Sequence, residues 1–298
     1  MKKLKNSRVW LVFMLAVFAF SCGEEGGLKG TLKIAITDAP IDADNVKAVN
    51  LVIANVEGFQ NGKWKPFRYF EQPTGVNLMA YTGGKSVLLI DQYTNPGQFS
   101  ALRLSLNVAQ RNSSLIVNPQ SNIVFKNGSS APLYVPEGAN PEIVIEQIVD
   151  VVSRGLTDIT LDVDLRKSIQ INDQGEYIIK PVVRFIETGK SGHIRASIVK
   201  ASMQDRVVAY VYKRNAFNNN ELVDISNGAP LYNAITSTAL KSTQISFGFL
   251  EAGTYDLIFV KHSPSGIVSE MIGRTNSIKV EAGVETNIEI NLDELGPS

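Results

Sequence analysis

Alternation of apolar and polar residues runs through most of this chain and limits its fold more than any other feature. In TLKIAIT (31–37) and TNIEINL (286–292), leucine or isoleucine recurs at every second position, at 32, 34 and 36 and at 288, 290 and 292. In ITLDVDL (159–165), Thr160, Asp162 and Asp164 alternate with apolar residues. Residues two apart on a strand point to the same face, so such segments form strands with one buried face and one face in water. The pattern predicts a mainly β protein built of sandwiches.

Turn signals separate these strands at intervals typical of sandwiches. They are Asn61-Gly62, Gly83-Gly84, Asn127-Gly128 and Asn227-Gly228. Residues 142–154 fit a helix by spacing and a strand by their β-branched content, so both assignments stay open. Residues 44–50 are predicted to form a short turn.

A polar, glycine-containing stretch, ETGKSGH (187–193), lies between two strand patterns and gives the best domain boundary. The expected organisation is an N-terminal β-sandwich over residues 31–188 and a C-terminal β-sandwich over residues 192–298. Residues 22–30 are rich in glycine and form a short tether.

The first 21 residues have the layout of an export signal. Four basic residues precede an unbroken apolar run of twelve, residues 9–20, and a spanning helix needs about 20 apolar residues. The segment resembles a bacterial lipoprotein signal peptide, which implies that Cys22 becomes the acylated first residue. Cleavage near Ser21 that leaves a free thiol is the alternative. Cys22 is the only cysteine in the chain, so it forms no internal disulfide.

Charge after processing argues against several partners. The whole chain has 29 basic and 29 acidic residues, and removal of residues 1–21 takes away four basic ones. The resulting 25 against 29 gives a net charge of −4. This acidity argues against nucleic acid and against electrostatic binding to anionic lipid, so membrane attachment is expected through the lipid alone.

Three stretches of the first domain resemble the bacterial lipoprotein family Domain of Unknown Function 4382. They are GTLKIAITDAP (30–40), LDVDLRKSI (161–169) and YIIKPVVRF (177–185). The resemblance implies an exported lipoprotein and no particular reaction.

The second domain resembles transthyretin-like or carboxypeptidase-regulatory sandwiches. The similar stretches are SGHIRASIV (191–199), LEAGTYDLIFV (250–260) and IKVEAGVETNIEINL (278–292). Such modules imply a spacer, a stalk or an assembly role. Glu24 and Glu25 are similar to export signals of surface lipoproteins of the Bacteroidetes, which points to the outer membrane, on its periplasmic or cell-surface side.

Residues that could carry chemistry are few. His193 and His262 have no neighbouring ligands at zinc spacing and are expected at the surface or at strand edges. There is no nucleophile elbow and no phosphate-binding glycine loop. We therefore expect no enzyme and no cofactor other than calcium.

Three carboxylates are the candidates for that calcium. Asp162 and Asp164 share a strand face, and Asp38 lies in the first family-like stretch. The same shared face would also suit Asp162 and Asp164 as a pair of catalytic acids. The competing interpretation is structural: a solvated charge ladder in which Arg166 neutralises Asp162 and Asp164, and a turn in which Asp38 caps backbone amides.

KWKPFRYF (63–70) offers aromatic residues between basic ones, and Trp64 and Tyr69 are the candidates for a ligand-binding platform. Alternatively, Phe67 and Tyr69 share a strand face and belong to the core. Pro66 predicts an edge strand or a bulge. The expected function is a lipid-anchored, non-enzymatic module for a glycan or surface-protein partner; the alternative is a structural subunit that resembles lipidated fimbrillins.

Overall fold

A computed structural model describes residues 28–39, 45–111, 119–199, 206–224, 229–263 and 266–296. Predictions for residues 1–27, including Cys22, lie outside this part. Strands dominate the described residues, which confirms the mainly β prediction. No helix among them is long and apolar enough to span a bilayer.

Among the described residues, the N-terminal part of the chain contains fourteen strands and a one-turn helix. The strands are β1 (Gly30–Ala39), β2 (Val46–Gln60), β3 (Lys63–Asn77), β4 (Val87–Thr94), β5 (Gly97–Phe99), β6 (Ala101–Leu106), β7 (Asn122–Phe125), β8 (Ser130–Tyr134), β9 (Glu142–Ile145), β10 (Val149–Val151), β11 (Leu156–Asp164), β12 (Ile169–Ile171), β13 (Tyr177–Ile179) and β14 (Val183–Glu187). The helix α1 (Leu165–Ser168) follows β11, and a 3-10 helix spans Leu78–Ala80.

Two sheets enclose the core of this part. The smaller has the order β14-β11-β1-β4, with β1 and β11 parallel; the larger has the order β12-β13-β8-β7-β2-β6-β9, with β3 added to β2. Strands β5 and β10 form a separate pair. Apolar residues of both sheets, among them Leu32, Ile34, Leu51 and Leu104, pack in one cluster.

The C-terminal part, where the structure describes it, contains seven strands: β15 (Ser191–Val199), β16 (Val207–Lys213), β17 (Thr236–Ala239), β18 (Gln244–Glu251), β19 (Gly253–His262), β20 (Val268–Val280) and β21 (Glu285–Asn291). They form sheets of order β18-β15-β21 and β17-β16-β19-β20 with a core of their own between them. The outer face of the second sheet is also covered, because Leu231 and Ala234 pack on Tyr210 and Ile258. Further 3-10 helices span Thr188–Lys190, Asn219–Leu222 and Leu292–Glu294.

Local signals in the sequence have mixed outcomes. Asn61 and Gly62 both have positive φ, as a type I′ hairpin turn requires, and they join β2 to β3. Residues 142–154 resolve into strands β9 and β10. The turn expected at residues 44–50 is wrong from Val46 onward, because β2 begins there and pairs with β7.

Candidate functional site

The carboxylates predicted to bind calcium lie where the two sandwiches meet. Asp162 and Asp164 are both buried on β11, and the prediction of a solvated ladder is wrong because residues 229–234 and Phe249 of the C-terminal part lie against this end of the sheet. Arg166 also departs from the prediction: the strand ends at Asp164, so Arg166 belongs to α1 and does not continue the strand face.

Asp162 and Asp164 each have their own cationic partners. Asp162 accepts hydrogen bonds from the guanidinium of Arg184, its neighbour on β14. Asp164 caps α1 by accepting from Lys167 N, and its Oδ2 lies 3.3 Å from Arg166 and 3.1 Å from Lys167 Nζ. The two carboxylates therefore serve as anchors for three basic side chains.

Those basic side chains bind backbone oxygens of the C-terminal part. Arg166 donates to the carbonyl oxygens of Pro230, Leu231 and Ala234 at 3.1, 2.7 and 3.3 Å. Lys167 Nζ reaches the same Ala234 oxygen at 2.8 Å. Each basic side chain is held by an aspartate of the first sandwich and donates to the second, so we call this set the junction.

Arg184 extends the junction to β18, where it donates to Phe249 O at 3.3 Å. Sequence reasoning missed Arg184, although it stands in the third family-like stretch. The signal available was its position, since an arginine in an otherwise apolar strand segment marks a buried or paired carboxylate nearby.

Burial shifts the ionisation of the junction. The pKa of Asp162 is raised, because the loss of hydration outweighs the attraction of Arg184. The pKa of Lys167 is lowered, again by burial, against the attraction of Asp164. Both shifts have desolvation as their main cause, as expected for charges enclosed between two domains.

Asp38 lies next to this junction on β1. Its Oδ1 accepts from Leu165 N at 3.4 Å, so it contacts the start of α1. Within the described part of the chain, no three or more histidine, cysteine, aspartate or glutamate side chains are grouped so that they could hold a metal ion. Calcium binding by Asp38, Asp162 and Asp164 stays a prediction.

The second candidate region is the aromatic stretch on β3. This strand pairs only with β2 among the described strands and carries a bulge at Phe67, because Pro66 pairs with Glu57 and Arg68 with Val56. The expectation from Pro66 is confirmed. Phe67 is buried in the core while Tyr69 is 62 % exposed, so the prediction that they share a face is wrong.

The bulge has a consequence for the two predicted ligand-binding residues. Trp64 pairs with Phe59 and Tyr69 with Asn55, and these partners are four apart on β2, on one face of the sheet. Trp64 and Tyr69 are five apart in sequence, and a regular strand would place them on opposite faces. The extra residue in the bulge brings them to the same outer face.

Charged groups surround Trp64 on this face. The guanidinium of Arg103 lies 4.3 Å from the centre of the indole ring, and Phe59 contacts the ring edge-on at 5.1 Å. Arg103 is held there by Glu57 at 2.6 Å and Glu142 at 3.4 Å. We call this set the aromatic face. Arg103 and Glu57 were not singled out from the sequence.

The two histidines differ from each other. His262 is buried, against expectation, with Nε2 at 3.0 Å from the hydroxyl of Tyr210 and Nδ1 at 2.9 Å from Gly266 O. His193 is half-buried beside Phe249. The burial of His262 follows from its place on β19, an inner strand of its sheet.

Comparison with known proteins gives one family and distant structural likenesses. No curated protein matches the chain. Among solved structures, the minor pilin GBS52 of Streptococcus agalactiae is 12 % identical, with 87 % of this chain and 94 % of that chain covered at a TM-score of 0.23. A putative adhesin from Bacteroides ovatus is 10 % identical, with 89 % and 87 % covered at a TM-score of 0.22. γ-CGTase from alkalophilic Bacillus clarkii is 12 % identical, with 80 % and 34 % covered at a TM-score of 0.25.

The family model described as Domain of unknown function (DUF4382) matches residues 29–181. This match begins just before β1 and ends just before β14, so it contains both sheets of the first sandwich apart from one edge strand. The chain belongs to the DUF4382 family.

Proposed function

We propose that this protein is an exported, lipid-anchored module that binds a glycan or a protein partner and carries out no reaction. The observation that carries the proposal is the aromatic face, where a strand bulge places the half-buried Trp64 and the exposed Tyr69 on the same outer face of a sheet. Exposed aromatic side chains with a polar rim are the usual anchors of binding surfaces.

The fixed charges beside Trp64 favour a polar ligand with apolar patches, such as a sugar chain. Arg103 covers one face of the indole, and the ligand would contact the other. The carboxylates of Glu57 and Glu142 hold the guanidinium in place, so little conformational entropy is lost when it donates to a ligand. A surface of this kind binds through stacking and hydrogen bonds.

The junction supports a binding role over a hydrolytic one. A pair of catalytic acids needs one carboxyl free to exchange protons with a substrate. Asp162 and Asp164 are enclosed between two sandwiches and bound to arginine and lysine. Their role in this proposal is to hold the two sandwiches together.

A polysaccharide array probed with the purified protein tests the proposal. Trp64→Ala and Tyr69→Ala should each weaken binding about tenfold, which corresponds to one interface anchor. Tyr93→Ala is the matched control, because Tyr93 is 75 % exposed on β4 of the other sheet. Equal binding by Trp64→Ala and the unchanged protein would contradict the assignment of the aromatic face as the binding surface.

The lipid anchor at Cys22 is part of the proposal and needs its own experiment. Cells that express the protein are grown with an alkyne-bearing fatty acid, and the protein is recovered from the outer-membrane fraction. The label should appear on the unchanged protein and be lost in Cys22→Ser. Labelling of Cys22→Ser, or an unlabelled protein that cofractionates with soluble periplasmic markers, would contradict the anchor.

The alternative function is a structural subunit of a surface assembly, and the open strands β9 and β14 favour it. Each ends its sheet in the described part of the chain, and such edges can pair with another copy. Cross-linking on intact cells would then give a ladder of multimers, whereas a single monomeric band would exclude the subunit role.

A further inference from the structure

A long cleft lies between the edges of the two sheets in the first sandwich. One wall is the segment from β9 to β10, and the other is residues 181–190, which include β14. The cleft consists of adjoining parts of about 1170 and 640 Å³ that share Gln147, Phe185 and Glu251. Its lining includes Val183, Phe185, Ile186 and Glu187, so it follows β14, whose five residues span about 17 Å.

The backbone of β14 offers hydrogen bonds to this cleft. Asp164 N donates to Val182 O at 2.9 Å, and continuation of that register makes Asp162–Arg184 and Thr160–Ile186 the pairs that exchange backbone hydrogen bonds. The N–H and C=O groups of the alternate residues, Val183, Phe185 and Glu187, therefore point away from β11. No other strand in the described part of the chain pairs with β14 on that side.

The side chains along the cleft combine exposed apolar groups with negative charge. Val144, Ile148, Val152 and Leu156 are each between 44 and 60 % exposed, unusual for residues of this type. The ionisable residues that line the cleft are one lysine, Lys190, and six acids: Glu142, Glu146, Asp150, Asp158, Glu187 and Glu251. Three of the acids form ion pairs: Glu187 with Lys190 at 2.7 Å, Glu251 with Lys213 at 3.1 Å and Glu142 with Arg103 at 3.4 Å. The remaining carboxylates, those of Glu146, Asp150 and Asp158, give the cleft its net negative charge.

We infer that this cleft binds an extended, basic segment of a partner polypeptide, which adds to β14 as a fifth strand of the β14-β11-β1-β4 sheet. The backbone groups of Val183, Phe185 and Glu187 supply the strand-to-strand hydrogen bonds. Alternate side chains of the peptide are apolar and contact Ile148 and Leu156, while lysine or arginine between them meets the carboxylates. The inference rests on the proposed function as a binding module, and it concerns a different surface.

Charge complementarity decides between the candidate occupants. The segment between Cys22 and β1, GEEGGLK (23–29), carries two glutamates and one lysine, so the acidic cleft repels it. A segment rich in lysine or arginine is attracted, and its affinity should fall as salt screens the carboxylates.

The test uses two fluorescent eight-residue peptides, one of alternating lysine and valine and one of alternating glutamate and valine, in anisotropy titrations with the full protein. The lysine peptide should bind at least about tenfold more tightly than the glutamate peptide. Glu187→Pro should weaken its binding about tenfold, because proline has no N–H to donate to the added strand. The backbone of Glu187 has φ −73°, which suits proline, so the variant should fold.

Glu187→Gln is the matched control, since it loses the same charge and the same ion pair but keeps the N–H. Its affinity for the lysine peptide should fall less than threefold. Equal affinities for Glu187→Pro and Glu187→Gln, or equal binding of the two peptides, would overturn the proposal. Self-association of the protein that Glu187→Pro abolishes would overturn it in favour of a second copy.

Trp64→Ala keeps this test separate from that of the proposed function. The substitution removes a residue of the aromatic face, and binding of the lysine peptide should be unchanged. Loss of peptide binding in Trp64→Ala would contradict a site on β14, whereas failure to find a glycan ligand leaves the peptide result intact.

Discussion

Replacement of Arg166 by alanine should lower the stability of the protein and uncouple the unfolding of the two sandwiches. Arg166 is 7 % exposed, and its guanidinium donates to three carbonyl oxygens of the C-terminal part while contacting Asp164. Hydrogen bonds to a charged group contribute about 1.5–3 kcal/mol each, but bonds that share one guanidinium are not additive. Asp164 retains Lys167 at 3.1 Å, so its charge stays paired. We expect a loss of about 3 kcal/mol in the free energy of unfolding, less than the full cost of an orphaned buried ion.

Urea unfolding with two probes measures this loss and shows where it acts. In a chain that starts at residue 22, Trp64 is the only tryptophan, so its fluorescence reports on the first sandwich, while far-UV circular dichroism reports on both. The unchanged protein should give coincident transitions, because the junction couples the two cores. Arg166→Ala should give two transitions.

Arg195→Ala is the control for loss of an arginine. Arg195 and Glu285 form an ion pair at 2.9 Å with both side chains more than 40 % exposed, so the substitution should cost less than about 1 kcal/mol. Arg166→Lys keeps the charge but lacks the planar fork, and its stability should lie between those of the unchanged protein and Arg166→Ala. Coincident transitions and a cost for Arg166→Ala no larger than that for Arg195→Ala would refute the junction.

Two more substitutions probe the same region by stability measurements. Gly248→Ala should destabilise the protein by a few kcal/mol, because the added Cβ would lie 2.2 Å from Gly84 Cα across the domain contact. Gly253→Ala is the control, and it should change the stability much less because no atom lies nearer than 3.6 Å to its added Cβ. Equal melting temperatures of the two variants would contradict the close contact. The folded-state pKa of Asp162 is raised above 3.8, so its stabilising contribution is complete below that pH and declines as pH rises through the folded pKa. As pH rises from about 4, the unfolding free energy of the unchanged protein should therefore fall relative to that of Asp162→Asn. A difference between the two proteins that does not depend on pH would be evidence against the raised pKa.

The sequence predicted those parts of the fold that depend on local pattern. Alternation in residues 31–37 places Leu32, Ile34 and Ile36 in the core. The Asn61-Gly62 pair sets a two-residue hairpin because both residues accept positive φ. Pro66 marks an irregular edge strand because it lacks an N–H for a second neighbour. Each of these signals acts within a few residues of the chain.

Contacts between distant segments explain what the sequence could not predict. The pattern at residues 159–165 correctly pairs Asp162 with Asp164 on one face, but it contains nothing about the cover over that face. The cover comes from residues 229–234 and 249, more than sixty positions later. A strand with one polar face in water and a strand with that face against another domain have the same alternation.

The aromatic face extends this argument from burial to binding. A bulge of one residue at Phe67 reverses the faces of the residues that follow it, up to a second irregularity of β3 beyond Tyr69, and this alone places Tyr69 on the same outer face as Trp64. Pro66 indicates that a bulge is allowed, yet the register of β2 against β3 fixes where the extra residue falls. The candidate residues could thus be named from the sequence, whereas their arrangement into one surface depends on strand pairing. Binding by Trp64 and Tyr69 together, with a loss from either substitution, is therefore a direct test of that register.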